Sequence, residues 1–133
     1  MKQFHLKIAT PDGPVFDGMA DALLVKTNVG DVEFMSGHMD YFASLGVGRA
    51  KLTVGGVSRY ASIQGGFVSI KDGDANLVTT TFEFADEIDL SRAKQAKERA
   101  EETLNSTQDK RTIDIARAKL LRAINRINVA ELK

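Results

Sequence analysis

The sequence of 133 residues contains no cysteine, so it has neither a disulfide framework nor a catalytic or metal-binding thiolate. No apolar run approaches the roughly 18 residues that a membrane-spanning helix needs. The opening residues lead directly into alternating apolar and polar positions, so we expect no signal peptide. The 18 acidic and 18 basic residues cancel, and the total charge therefore does not favour a nucleic-acid partner. These absences favour a soluble cytoplasmic protein that would reach a membrane only through a partner.

Motifs of several enzyme classes are also missing. The sequence has no G-x-S-x-G nucleophile elbow, no H-E-x-x-H metal pair and no G-x-x-x-x-G-K-[ST] phosphate loop. Only two histidines are present, and His5 lies in a strand-like run. His38 and Asp40 could serve an enzyme, but no nucleophile or orienting motif accompanies them. We therefore predict a structural role for this pair rather than catalysis or metal binding.

The chain divides into two compositional parts at about residue 85. Residues 1–85 contain all the glycine and proline, and residues 86–133 contain none. The first part has 7 basic and 9 acidic residues, a net charge of −2, whereas the second has 11 and 9, a net charge of +2. Between Lys110 and Asn128, six bases and one acid give +5. We predict a β domain over 1–85 and a helical domain over 86–133.

The first part shows the short alternating runs of an antiparallel sandwich or barrel. Phe4, Leu6 and Ile8 alternate with polar or small residues. Turns are predicted at Pro11-Asp12-Gly13-Pro14, at Gly55-Gly56 and at Lys71-Asp72-Gly73-Asp74. Between residues 30 and 45, acids mix with Phe34, Met35, Met39 and Phe42. These large side chains either belong to the core or lie on irregular backbone that contacts a partner, and the pattern leaves both possibilities open.

The second part predicts two helices joined by the polar segment 105–109. Leu90, Ala93, Ala96, Ala100 and Leu104 recur at steps of three and four, as on one helical face. The second helix repeats the pattern with Ile113, Ala116, Leu120, Ala123, Ile124, Ile127 and Ala130. Asp89 is suited to cap the first helix. Because the faces are rich in alanine, the hairpin buries little area and is expected to be mobile.

Arginines share faces on both helices. Arg92 and Arg99 are seven residues apart, and Arg122 and Arg126 are four apart with Lys119 nearby. In an antiparallel hairpin these faces can meet and bind phosphate, because each guanidinium donates two parallel hydrogen bonds. A solvated basic face is the alternative, in which surface ion pairs contribute only about 0–1 kcal/mol.

Several motifs together resemble the epsilon subunits of the bacterial F-type ATP synthase. The segment 30–40 corresponds to a G-E-L-G-I-L-P-G-H-A-P-like stretch, and Gly65-Gly66-Phe67 to an S-G-G-hydrophobic turn. The segment 88–93, Ile-Asp-Leu-Ser-Arg-Ala, fits the [IL]-D-x-x-R-A motif of that family, which is the most specific match. The resemblance covers essentially the whole chain.

The resemblance implies an α+β, mainly β architecture: a ten-stranded antiparallel β-sandwich followed by an antiparallel two-helix hairpin. It implies a non-catalytic central-stalk subunit on the cytoplasmic face of the bacterial cell membrane, in a complex that transports protons or sodium ions. Its partners would be the gamma subunit, the rotor c-ring and the catalytic alpha/beta head. The hairpin would inhibit ATP hydrolysis when extended.

The resemblance also implies a regulatory ATP site that needs no metal. In several bacilli the folded hairpin of this family binds ATP, which holds it against the sandwich. The matching positions here are Glu83, Ile88, Asp89, Arg92, Ala93, Arg99, Arg122 and Arg126. Ile88, Asp89 and Ala93 would frame adenine, and the arginines would neutralise the phosphates.

Overall fold

A computed structural model of the chain describes residues 2–132. Eight strands precede a short 3-10 turn and two helices. The strands are β1 (Phe4–Thr10), β2 (Gly13–Ala20), β3 (Ala22–Thr27), β4 (Gly30–Met35), β5 (Tyr41–Val54), β6 (Val57–Lys71), β7 (Asp74–Thr79) and β8 (Phe82–Phe84). The turn covers Ala85–Glu87, and the helices are α1 (Leu90–Ser106) and α2 (Lys110–Ala130). The predicted class, a β domain followed by a helical hairpin, is confirmed.

The strands form a hydrogen-bonded path in the order β2-β1-β7-β6-β5-β3-β4, and β8 pairs with β6. Buried side chains from β1 through β7 join one apolar cluster, which includes Leu6, Leu23, Phe34, Ile63 and Leu77. A flat sheet could not bring residues of so many strands together. The path therefore folds over itself as a sandwich around a single core.

Within residues 2–132 the structure has eight strands rather than the ten that the resemblance implied. β5 and β6 are 14 and 15 residues long, so each continues where the sequence indicated a break. In β6 the predicted pieces 57–63 and 67–70 are joined through Gly65 and Gly66, which have φ of +69° and +125°. Glycine bends a strand at such angles without ending it, and each long strand can then serve both layers of the sandwich.

The sandwich is not wholly antiparallel, which corrects the predicted topology. β1 pairs with β7 in parallel, with Leu6 opposite Ala75 and Ile8 opposite Leu77. Sequential neighbours joined by tight turns must run antiparallel, but β1 and β7 are separated by five intervening strands. Their relative direction is set by the path of the intervening chain, which local turn signals do not reveal.

Both helices begin where a carboxylate caps them. The Asp89 side chain accepts a hydrogen bond of 3.1 Å from the backbone N–H of Arg92, which confirms the predicted cap. At α2 the Asp109 carboxylate accepts from the Thr112 N–H at 3.0 Å and from its hydroxyl at 2.7 Å. The hydroxyl, followed by the backbone N–H, holds the pKa of Asp109 below its ordinary value of 3.8.

The helices form an antiparallel hairpin, and α2 is the helix that contacts β5, β6 and the 3-10 turn. Its apolar contact is a small cluster of Ala85, Ile88, Val129 and Ala130, with Tyr60 and Leu90 packed beside it. We call this arrangement the docked hairpin. The cluster is much smaller than the sandwich core, so the apolar surface that holds the hairpin in place is limited. Neither α1 nor α2, within the described residues, has a stretch apolar enough to span a bilayer.

Candidate functional site

A groove with a volume of about 620 Å³ runs between α1 and α2. Four alanines that face the opposite helix form its apolar surface: Ala96, Ala100, Ala116 and Ala123. Their small side chains let the two backbones approach closely and leave an open channel above them. Gln64 of β6 closes one side, so the sandwich contributes to the groove only when the hairpin is docked.

Four cationic side chains line the groove: Arg99 on α1 and Lys119, Arg122 and Arg126 on α2. No acidic side chain lines it among the described residues. The groove is therefore a concave, positively charged site, which Arg99, Arg122 and Arg126 of the predicted arginine faces line and Arg92 does not. Phosphate oxygens are well matched to such a site, because guanidinium groups hold them by paired, charge-assisted hydrogen bonds.

Arg126 is joined to Glu83 of β8 by two hydrogen bonds. Its Nε donates to Oε1 at 2.8 Å and its Nη2 donates to Oε2 at 3.1 Å. Both side chains are partly buried, with 21% and 32% of their area exposed. Glu83 therefore neutralises one of the four cations and fixes its guanidinium at the edge of the groove.

Asn125, the neighbour of Arg126, makes a second polar connection to the sandwich. Its amide donates to the Gly48 carbonyl at 2.8 Å and to the Ser62 hydroxyl at 2.9 Å. Ser62 is fully buried. These bonds exist only while α2 lies on β5 and β6, and they supply the directional part of a docking contact that has little apolar area.

The other predicted site residues lie at the first turn of α1, near the end of the groove where α2 finishes. Ile88 belongs to the small apolar cluster with Val129 and Ala130, and Ala93 is fully buried. Asp89 caps the helix, and Arg92 is exposed. The structure thus brings together Arg99, Arg122 and Arg126, attaches Glu83 through Arg126, and leaves the segment 88–93 outside the lining of the groove.

Further groove residues were not among the predicted site residues. Gln64 comes from a strand, and no local pattern placed it beside the helices. Thr103, Thr112 and Ile115 line the end near the interhelical loop. The alternation of small residues on the facing helices is the one signal that could have indicated a groove at this position.

His38 and Asp40 are engaged in local contacts. The Nδ1 atom of His38 lies 2.8 Å from the Met39 carbonyl oxygen, and its ring packs on Phe34 with a centroid separation of 4.9 Å. Asp40 accepts a hydrogen bond of 2.9 Å from the Asp72 N–H. Within residues 2–132, no group of three or more His, Cys, Asp or Glu side chains could hold a metal ion.

The segment 30–45 divides between core and surface. Phe34 is fully buried, whereas Met39 and Phe42 are 77% and 66% exposed and Met35 is about half exposed. The ring of Phe42 stacks on Phe67 at 5.4 Å. Only residues 36–40 connect β4 to β5, so most of the predicted irregular piece is strand. The core interpretation is confirmed for Phe34, and contact of Met35, Met39 and Phe42 with a partner stays a prediction.

Two family models match the chain. Residues 3–85 match the beta-sandwich domain of the ATP synthase delta/epsilon chain, and residues 86–131 match its long alpha-helix domain. Curated relatives named ATP synthase epsilon chain include one from Bacillus cytotoxicus, 38% identical over 136 residues, and one from Ruminococcus albus, 37% identical over 134 residues. Each alignment covers 100% of both chains.

Solved structures share the fold. A chain in the Euglena gracilis mitochondrial ATP synthase, OSCP/F1/c-ring, has a TM-score of 0.84 at 22% identity, covering 98% of this chain and 82% of that one. A chain in the Tetrahymena thermophila mitochondrial ATP synthase, central stalk/c-ring, has a TM-score of 0.66 at 15% identity, covering 97% of each. With both domains matched in order and relatives aligned from end to end, the chain belongs to the epsilon-chain family of ATP synthase, whose members are non-catalytic subunits of that complex.

Proposed function

We propose that this epsilon chain regulates ATP hydrolysis through its hairpin, which binds ATP when docked and inhibits hydrolysis when extended. The observation that supports this best is the basic groove. It needs α1 and α2 side by side, and Gln64 and the Glu83 partner of Arg126 come from the sandwich. A ligand in this groove therefore contacts parts of the protein that separate when the hairpin leaves.

The chemistry of the groove suits a nucleoside triphosphate. Arg99, Arg122 and Arg126 offer guanidinium groups along one channel, and they can neutralise a polyphosphate without a metal ion. The family resemblance assigns the adenine base to Ile88, Asp89 and Ala93, which lie where α1 begins. Arg92 precedes Ala96 by four residues on the same helical face and would extend the row of cations towards the base. Glu83 would position Arg126.

Binding would shift the hairpin by differential affinity. A ligand that binds only the docked state stabilises it by RT ln(1 + [L]/Kd), which is about 2.7 kcal/mol at a ligand concentration one hundred times Kd. The docked hairpin is held by the small apolar cluster, the Arg126–Glu83 pair and the Asn125 hydrogen bonds. Nucleotide can therefore shift the docking equilibrium, because only a contact of large apolar area would hold the hairpin irrespective of nucleotide. Low ATP would then favour the extended, inhibitory form.

We propose that the chain divides into functional domains at 1–85 and 86–133. The sandwich would bind the gamma subunit and the c-ring, and the extended hairpin would reach the alpha/beta head. The chain would then sit in the central stalk at the cytoplasmic face of the bacterial cell membrane, in an ion-transporting complex. Met39 and Phe42 support a contact role for the sandwich, because exposed aromatic and methionine side chains are typical of interface cores.

Calorimetry with ATP tests the binding proposal. The wild-type chain should bind ATP without added metal, and Arg122→Ala and Arg126→Ala should each weaken binding at least about tenfold, since a charged hydrogen bond contributes about 1.5–3 kcal/mol. Arg117→Ala is the matched control, because Arg117 is an exposed cation of α2 outside the groove. Equal affinities of the groove variants and the control would reject the site.

Deletion of residues 86–133 tests the regulatory proposal. The truncated chain should still join the complex through the sandwich, and the complex should hydrolyse ATP faster than the one with the full chain, above all at low ATP. An unchanged hydrolysis rate in a correctly assembled complex would remove the inhibitory role and leave nucleotide binding to be judged by calorimetry alone.

A further inference from the structure

We infer that Lys119 makes this groove selective for a nucleoside triphosphate over a diphosphate, by contacting the terminal phosphate. The inference rests on the proposed function. Lys119 lines the groove together with Arg99 and Arg122. Within residues 2–132 none of these three has an ion-pair partner, whereas the fourth cation, Arg126, is held by Glu83. The uncompensated charge therefore lies in the part of the groove away from Arg126.

The direction of the groove fixes which phosphate would meet Lys119. In the proposed function the base lies beside Ile88, which packs with Val129 and Ala130 at the end of α2. At about 1.5 Å per residue, Arg122 lies about 6 Å and Lys119 about 10 Å beyond Arg126 along the helix axis. A chain of phosphates that starts from a nucleoside at the base end meets these cations in the order Arg126, Arg122, Lys119. The last cation is reached by the last phosphate.

The remaining polar groups at this end of the groove are already engaged as donors. The Thr103 hydroxyl donates to the Arg99 carbonyl at 3.0 Å, and the Thr112 hydroxyl donates to the Asp109 carboxylate at 2.7 Å. Neither hydroxyl hydrogen is available to a phosphate oxygen. Lys119 is exposed and its ammonium has three donors on a flexible stem, so it can follow the terminal phosphate without the fixed geometry of a guanidinium.

The test compares ATP and ADP binding by calorimetry, without metal, for the full chain and three variants. Lys119→Gln keeps most of the stem and removes the charge, Lys119→Arg restores the charge, and Arg117→Gln removes an exposed α2 charge outside the groove. We expect Lys119→Gln to lose about tenfold in ATP affinity and less than about twofold in ADP affinity. Lys119→Arg should recover most of the preference for ATP. Arg117→Gln should lower the affinities for ATP and ADP slightly and by the same factor.

The other outcomes overturn the inference, and they do so in distinguishable ways. If Lys119→Gln weakens the binding of ATP and of ADP by the same factor, or weakens the binding of neither, the selectivity does not come from Lys119. The proposed ATP site then still stands. If the wild-type chain binds neither nucleotide, the proposed site fails and this inference fails with it. Circular dichroism of each variant at the calorimetry temperature confirms that the helices are intact, so that a loss of binding reports the groove.

Discussion

Arg126 of α2 and Glu83 of β8, 43 residues apart in the chain, form a bidentate ion pair. The Nε–Oε1 distance is 2.8 Å and the Nη2–Oε2 distance is 3.1 Å. The pair connects the hairpin to the sandwich at the edge of the groove. A pair of this geometry and partial burial helps hold the hairpin on the sandwich and orients one cation of the groove with the same contact.

Glu83→Gln should loosen the docked hairpin in the absence of nucleotide. The amide keeps the shape but loses the charge, and we expect a cost of about 1 kcal/mol, or roughly fivefold in the docking equilibrium. Because the chain has no cysteine, two introduced cysteines at exposed positions such as Lys71 and Gln108 can carry a dye pair. Energy transfer between the two dyes should fall in Glu83→Gln and stay unchanged in Glu87→Gln. Equal transfer in both variants would contradict the claim that Glu83 helps hold the hairpin docked.

Asn125→Ala should also favour undocking. The substitution removes both amide hydrogen bonds and leaves the Gly48 carbonyl and the buried Ser62 hydroxyl without this donor. We expect a loss of about 1–3 kcal/mol. Hydrogen exchange should become faster in α2 and remain slow in the core strands. Asn128→Ala, at an exposed position of the same helix, is the control and should leave exchange in α2 at the wild-type rate.

Asp21 should make the stability of the sandwich depend on pH. The Gly56 N–H, at 2.8 Å, and then the Gln3 amide hold the pKa of Asp21 below its ordinary value of 3.8. A carboxyl with a lower pKa in the folded state stabilises the fold at pH values above the unfolded pKa. That contribution is lost as the pH falls below 3.8 through the folded pKa.

Urea unfolding at pH 7 and pH 2.5 measures the contribution of Asp21. In Asp21→Asn the difference in free energy of unfolding between the two pH values should be smaller than in the wild type. Asp12→Asn, at an exposed turn position, should keep the wild-type difference. A full wild-type difference in Asp21→Asn would show that other carboxylates cause the acid sensitivity.

Gly66→Ala should be among the most destabilising small substitutions in the chain. Gly66 has φ of +125°, and an added Cβ would lie 1.9 Å from the Val78 carbonyl oxygen and 2.7 Å from the Thr79 Cα. Because both are backbone atoms of the paired strand, β7 would have to move, at a cost of about 2–4 kcal/mol. Gly56→Ala controls for backbone strain alone, since it has φ of +80° but nothing within 4 Å. Gly56→Ala should lower the free energy of unfolding by about 1 kcal/mol, and thermal unfolding of both variants measures the difference.

Phe42→Ser should weaken assembly without destabilising the isolated chain. Phe42 is exposed and stacks only partly on Phe67, so its loss should change the free energy of unfolding by less than about 0.5 kcal/mol. Affinity for the gamma-containing complex should fall by at least about 1 kcal/mol if this surface is the contact. Val29→Ser, at the exposed turn between β3 and β4, is the matched control. Equal affinities would place the contact elsewhere.

The two domains, the helices and the tight turns could be predicted because each depends on neighbouring residues. Asp89 caps α1 through a hydrogen bond that spans three residues. Gly55 and Gly56 turn β5 into β6, with Val54 opposite Val57. The joining of two predicted strands into β6 could not be predicted, because whether a glycine bends a strand or ends it depends on how the strand pairs, here Gly66 with Thr79 of β7.

The candidate site was predicted in part for the same reason. Arg122 and Arg126 share a helical face by their spacing, and the sequence alone therefore indicated a basic surface on α2. Gln64 and Ser62 lie beside α2 only because of the tertiary packing, and no pattern in the neighbouring sequence predicts that position. Residues of the 88–93 motif were placed by resemblance rather than by spacing, and their ligand role stays a prediction.

By itself the sequence determined a glycine-rich β domain followed by a helical pair with a net positive charge, because capping, periodicity and charge are properties of short segments. Only the tertiary structure decided that α2 lies on β5 and β6 and that Glu83 neutralises one cation of the groove. It also decided that, within residues 2–132, the other three cations of the groove have no ion-pair partner. These relationships join residues dozens of positions apart. They depend on how small alanine faces pack against each other and against the sheet, which no local pattern specifies.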